Sequence, residues 1–135
     1  MKTIDDVKIF NLRSFKEGDG VLVPIESGYD IPFDIKRVFY VFNVNNQNDR
    51  GKHSHYKTKQ ILICLNGEID VIVDDGFKRK TITINDKFTG IFIPEMIWDE
   101  QIYKTEDSLL MVLCDTHYDI DDYIEDYDTF KKLKQ

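Results

Sequence analysis

The stretch QILICLNGEIDVIVDDGFKRKTITI, residues 60–84, decides the fold. Its first run, Ile61 to Leu65, is apolar throughout and stops at Asn66-Gly67, a dipeptide that accepts the positive φ angles of a tight β-turn. The next run alternates Ile69, Val71 and Val73 on one face with Asp70 and Ile72 on the other, which is the period of a strand with one buried face. Asp75-Gly76 repeats the turn signal before Lys78 to Ile84, so the whole stretch reads as an antiparallel meander. Working outward, further apolar runs of strand length occur at Val7 to Leu12, Val21 to Ile25, Ile35 to Phe42, Thr89 to Ile93 and Leu109 to Cys114. Eight short strands with turns between them predict an all-β sandwich or barrel.

Only the C-terminus has helical spacing. Ile120, Tyr123, Ile124, Tyr127, Phe130 and Leu133 fall on one helical face, which predicts an amphipathic helix over 119–134. Seven acidic residues and no Lys or Arg lie between Asp115 and Asp128, and Lys131, Lys132 and Lys134 follow. That order suits the helix dipole. With 135 residues, seven Gly, three Pro and no repeat or linker, the chain reads as one domain, 1–135. Its 41% hydrophobic content is enough to form a core and argues against disorder. Eighteen basic against twenty-five acidic residues give −7, a balance that repels polyphosphate chains and argues against nucleic acid as a partner. No run resembles a signal peptide or a membrane span, so the expectation is a cytoplasmic protein without membrane contact. Cys64 and Cys114 sit in apolar runs without CxxC spacing and read as buried reduced thiols.

The chemistry concentrates in Arg50-Gly51-Lys52-His53-Ser54-His55. On a strand, residues two apart share a face, so His53 and His55 project into one space. Gln60 follows after four residues and Gly67 after six more, a spacing that resembles the first motif of the cupin superfamily. Gly90 and Pro94 to Asp99 resemble the second. The resemblance implies a cupin jelly-roll, a double-stranded β-helix. Metal-binding cupins carry three His and one Glu in these motifs, whereas Gln60 and Asp99 stand at two of those positions here. A site without metal, in which imidazoles of ordinary pKa about 6.5 move protons, is therefore the expectation.

A closer resemblance covers nearly the whole chain. IPFDIKRVFYVF (31–42), RGKHSHYKTKQILICLNG (50–67), VIVDDG (71–76) and YDIDDYIEDYDTFKK (118–132) are similar to the bacterial dTDP-4-keto-6-deoxy-D-glucose 3,4-ketoisomerases, a metal-independent cupin family, and no cofactor is expected. The resemblance implies catalytic roles for His53 and His55; we assign His53 the carbon-bound proton and His55 the oxygen-side protons or the positioning of the base. It implies a dTDP-4-keto-6-deoxyhexose substrate and a place in dTDP-3-amino-3,6-dideoxyhexose biosynthesis. A homodimer that exchanges its N-terminal strands, residues 1–14, is also implied. Arg37 and Arg50, both in matching segments, are the candidate cations for the diphosphate. Gln60 and Asp99 are expected to face substrate, Trp98 to stand at the pocket rim where the family has a Trp-His pair, and Tyr40 to add a second aromatic. The rival readings are a dTDP-sugar 3,5-epimerase, a metal-dependent cupin dioxygenase and a sugar-binding cupin without activity.

Overall fold

Ile61, Leu62 and Ile63 have no exposed surface in the computed structural model, which describes residues 1–45 and 48–135. Full burial of such side chains contributes about 2 kcal/mol each, so their strand must be covered on both sides. The strands are β1 (Lys8–Asn11), β2 (Phe15–Glu17), β3 (Gly20–Leu22), β4 (Arg37–Val41), β5 (Asp49–His55), β6 (Gln60–Asn66), β7 (Ile69–Asp74), β8 (Arg79–Ile84), β9 (Thr89–Ile93), β10 (Trp98–Tyr103), β11 (Leu109–Cys114) and β12 (Tyr123–Ile124), followed by helix α1 (Tyr127–Lys134). One sheet has the order β1-β9-β6-β11-β4 and the other β12-β5-β10-β7-β8, with β2 and β3 forming a separate hairpin. The two sheets face each other over a core that includes Leu62, Val112 and Ile91 from the first and Ile69, Val71 and Val73 from the second. This is the all-β jelly-roll expected, with one short C-terminal helix.

The first sheet is also apolar on its outer face, where Leu12, Ile31 and Phe33 cover Ile61, Ile63 and Leu113. The meander expected over 60–84 is therefore only half present. β7 and β8 do pair, through a four-residue loop in which Asp75 Oδ1 accepts from the backbone N–H groups of Phe77 and Lys78. β6 and β7 belong to different sheets, and Asn66-Gly67 turns the chain across the sandwich. A strand with two apolar faces joins the sheet that is covered twice, and the alternating strand joins the other.

The helix expected over 119–134 begins only at Tyr127. Asp119 caps a 3-10 turn at Ile120–Asp122 by accepting from the Asp121 N–H, and Asp126 caps α1 by accepting from the Thr129 N–H. Between these two restarts, Tyr123 and Ile124 satisfy their backbone groups against the edge of β5, opposite His55 and Ser54. β1 pairs with β9 of its own chain, Lys8 opposite Phe92. Both cysteines are buried and unpaired. Among the described residues, no helix is long and apolar enough to cross a membrane.

Candidate active site

β5 carries almost no apolar residues, and its geometry comes from its neighbours. It pairs with β10, with Arg50 opposite Gln101, Gly51 opposite Glu100 and His53 opposite Asp99. Lys52 is the extra residue of a bulge, and it and Gly51 both adopt left-handed backbone, φ 57° and 82°. A Cβ on Gly51 would lie 3.0 Å from Gln101 Nε2 and 3.1 Å from Asp99 Oδ1, so this position requires glycine. The bulge has a functional consequence. Arg50 and His53 are three residues apart and would face opposite sides of a regular strand; the inserted residue turns both toward the interior, beside Gln101 and Asp99.

His53 and His55 meet edge to face, ring centroids 4.9 Å apart. Opposite them, the end of the first sheet contributes a row in which Cys114 is paired with both Arg37 and Gln60. The Gln60 amide donates to Cys114 Sγ at 3.6 Å. The third wall comes from the C-terminal segment. Asp122 anchors it: its backbone oxygen accepts from the Tyr56 N–H, Oδ1 from the Lys57 N–H, and Oδ2 from the Thr58 hydroxyl. That anchor sets the Tyr123 ring 5.2 Å from His53 and 4.6 Å from His55, with its hydroxyl accepting from Arg37 Nη1 at 3.4 Å.

The electrostatics separate the two histidines. His55 is 4% exposed, and burial drops its imidazole to about 3, with His53 and Arg37 acting in the same direction and Asp122 opposing. Its Nε2 has no hydrogen-bond partner among the described residues. His53 instead faces the Asp99 carboxylate, which is 1% exposed. Burial raises the Asp99 pKa, against the pull of His53 and of the Gln101 amide that donates to Oδ1 at 2.7 Å. Gln101 in turn accepts from the Tyr103 hydroxyl at 3.3 Å, so each donor in this buried chain points toward Asp99.

The neutral His55 has a measurable consequence for stability. An unfolded chain protonates this side chain below about pH 6.5, whereas the fold keeps it neutral down to about 3. Its contribution is thus complete above about pH 6.5 and is lost progressively as pH falls through that window, by about 2–3 kcal/mol at about pH 4.5. Urea unfolding at both ends of the window should show a smaller acid loss in His55→Asn than in the parent chain. Equal losses would rule out this linkage.

A family model described as WxcM-like, C-terminal (FdtA) matches residues 5–135. The chain belongs to the WxcM-like family. It is 41% identical over 125 residues to the TDP-4-oxo-6-deoxy-alpha-D-glucose-3,4-oxoisomerase of Aneurinibacillus thermoaerophilus, covering 93% of this chain and 90% of that one. QdtA, a sugar 3,4-ketoisomerase from Thermoanaerobacterium thermosaccharolyticum solved in complex with TDP, is 38% identical with a TM-score of 0.94, over 98% of this chain and 96% of that one. WlaRB, a TDP-quinovose 3,4-ketoisomerase from Campylobacter jejuni, is 35% identical with a TM-score of 0.90, over 96% and 99%. A 3'-monoepimerase from Streptomyces bikiniensis shares only 13% identity at a TM-score of 0.76, which shows a common fold and no more.

Within this WxcM-like chain, the structure brings together His53, His55, Arg37, Gln60 and Asp99, and turns Arg50 to the same side as His53. Two expected residues point elsewhere. Trp98 is 3% exposed on the outer face of β10, packed against Tyr127 and Phe130, with its indole N–H donating to Glu100 Oε2 at 3.0 Å. Neighbouring strand positions alternate faces, so placing Asp99 inward forces Trp98 out, under α1. Tyr40 lies on the outer face of β4, opposite Met111 and 65% exposed, stacked on Phe42. Tyr123, Asp122 and Gln101 were not among the expected site residues. For Gln101, the signal was its position two residues beyond Asp99. For Tyr123 the helical spacing hid it.

Proposed function

We propose that this chain is a nucleotide-sugar 3,4-ketoisomerase that moves the keto group of TDP-4-keto-6-deoxyglucose from carbon 4 to carbon 3 through an enediol. The observation that carries the mechanism is the edge-to-face histidine pair with the buried Asp99 carboxylate directly opposite His53. The carbon-3 proton is acidic because it neighbours the carbonyl, and His53 removes it. The imidazolium formed then faces Asp99, its N–H exchanges with solvent, and it delivers a proton to carbon 4. His55, kept neutral, offers its unpartnered Nε2 to a sugar oxygen and positions the ring. The reaction is redox-neutral within one molecule, so acid–base groups suffice. Arg37 and Arg50, one from each sheet, supply local positive charge for the diphosphate in a protein of net charge −7. Gln60 forms the floor beneath the hexose, beside Cys114.

Incubation with TDP-4-keto-6-deoxyglucose in deuterium oxide should place deuterium on the sugar ring, and proton NMR of the product gives the carbon-4 configuration. Binding of the TDP-sugar without any incorporation would sink this reading. The 3-keto product is the form an aminotransferase needs for a 3-amino-3,6-dideoxyhexose, which supports a role in surface-glycan assembly, read here as cytoplasmic. A homodimer with exchanged N-terminal strands is supported by β1 lying at a sheet edge and by Val38 and Tyr40 on β4, with Phe42 just beyond it, all exposed. Deleting residues 1–14 should abolish the dimer in light scattering. A stable, active monomer of the shortened chain would refute the exchange.

A further inference from the structure

His55 ends β5, and the ladder between β5 and β10 runs only from His53 opposite Asp99 to Asp49 opposite Ile102. The His55 carbonyl is therefore served from outside that ladder: it accepts from the Met96 N–H at 2.9 Å. Met96 lies in the turn between β9 and β10 and has φ 62°, in the left-handed region that a residue with a Cβ avoids. Such a residue persists only where its surroundings fix it. The Met96 side chain packs against the cluster of Trp98, Ile124 and Phe130, and its carbonyl accepts from Lys134 Nζ at 2.7 Å.

We propose that Lys134 is a positioning residue for His55, acting through the Met96 turn. The ammonium holds the Met96 carbonyl, that bond fixes the left-handed residue, and the Met96 N–H fixes the end of β5 from which the imidazole projects. The inference rests on the ketoisomerase reading and adds to it a residue of α1 that does not touch the histidines. Without the ammonium, Met96 can relax toward the ordinary negative φ, and its N–H leaves the His55 carbonyl. A shift of a fraction of an ångström in a group that must meet a sugar atom then costs rate. Affinity is spared, because Arg37 and Arg50, the cations read as holding the diphosphate, lie on β4 and at the other end of β5.

The placement of Lys134 supports this role. A lysine in the last turn of a helix ordinarily keeps its ammonium in water, whereas Lys134 is buried. Its stem runs over Gly76, where an added Cβ would meet Lys134 Cβ at 2.9 Å and Cγ at 3.1 Å, so a glycine makes room for it. Burying a charge is costly unless its hydrogen bonds are met, and the ammonium meets them on two backbone carbonyls, that of Met96 and that of Lys2 at 2.5 Å. A clamp serving stability alone could end on Lys2. The second bond goes instead to the residue whose own N–H reaches His55.

Lys134→Met keeps the aliphatic stem over Gly76 and removes the donors. It should lower kcat by about tenfold while KM and TDP affinity stay within about threefold, and it should move the NMR signals of the His55 imidazole. A folded variant with kcat within about twofold of the parent, a loss confined to KM and TDP affinity, or unmoved His55 signals overturns the role. If the variant fails to fold, replacing Met96 by its α-hydroxy acid asks the same question. That change turns one amide into an ester, removes only the N–H that the His55 carbonyl accepts, and leaves Lys134 in place. The same loss of about tenfold in kcat is expected, and parental turnover overturns the proposal. A parent enzyme that leaves TDP-4-keto-6-deoxyglucose unchanged overturns the ketoisomerase reading itself, while the His55 signals still report the coupling to Lys134, which distinguishes the two failures.

Discussion

His53→Asn should lower kcat for ketoisomerisation by about 10³-fold or more, with TDP affinity within about threefold of the parent. Asparagine keeps a side chain of similar reach that can still hydrogen-bond, but it cannot accept a proton from carbon. Position and polarity at the site are thus largely kept, while the base is lost. The charge complementarity with Asp99 is lost as well, because no imidazolium forms opposite that carboxylate. His55→Asn should cost less, since it removes a neutral positioning group and leaves the base in place. Turnover by NMR and TDP binding by calorimetry separate the cases. A His53→Asn enzyme with parental turnover would remove His53 from the mechanism, and an equal loss in both variants would contradict the division of labour.

Gly67→Ala should destabilise the fold by about 2–5 kcal/mol, the sum of a left-handed backbone penalty of about 1–2 and an overpacking cost of about 1–3. Gly67 has φ 79°, and a Cβ there would lie 2.4 Å from Thr105 Oγ1, 2.6 Å from Ser108 Oγ and 2.7 Å from Ser108 Cα. The last of these is backbone and cannot rotate away. Ser108 Oγ also donates to the Glu68 carbonyl at 3.0 Å, so displacing it breaks the contact that fixes the crossing between sheets. Gly18→Ala is the control: φ is 59° there but none of the described residues would lie within 4 Å of the added Cβ, so only the backbone penalty of about 1–2 kcal/mol applies. Urea unfolding of both variants checks the difference. Equal losses would show that the crowding at Gly67 carries no cost.

Strands were legible in the sequence where one face had to be apolar. β7 showed its alternation, and the β9 and β11 runs, Thr89 to Ile93 and Leu109 to Cys114, appear at the expected bounds. β5 and β10 were not legible from apolar periodicity, because their inward faces carry Arg50, His53, Asp99 and Gln101 in place of aliphatics. The rule that reads strands from apolar periodicity fails where a strand faces a polar site. The C-terminal spacing failed differently. Ile124 and Phe130 are buried beside Trp98, as an amphipathic helix would require, yet Ile120 is exposed and Tyr123 turns to the histidines. Two capping aspartates and an open strand edge broke a helix that periodicity alone would continue.

By itself the sequence determined the all-β class, the shared face of His53 and His55, and membership of a family with a known kind of chemistry, because these depend on local spacing and on residue identity. The tertiary structure alone decided that Asn66-Gly67 crosses between sheets, that a bulge at Lys52 brings Arg50 round to the side of His53, and that Tyr123 closes the site while Trp98 leaves it. Each of these depends on which strand lies beside which. Period-two alternation says which residues of a strand point together, but the neighbour they meet is chosen by burial summed over the whole sandwich.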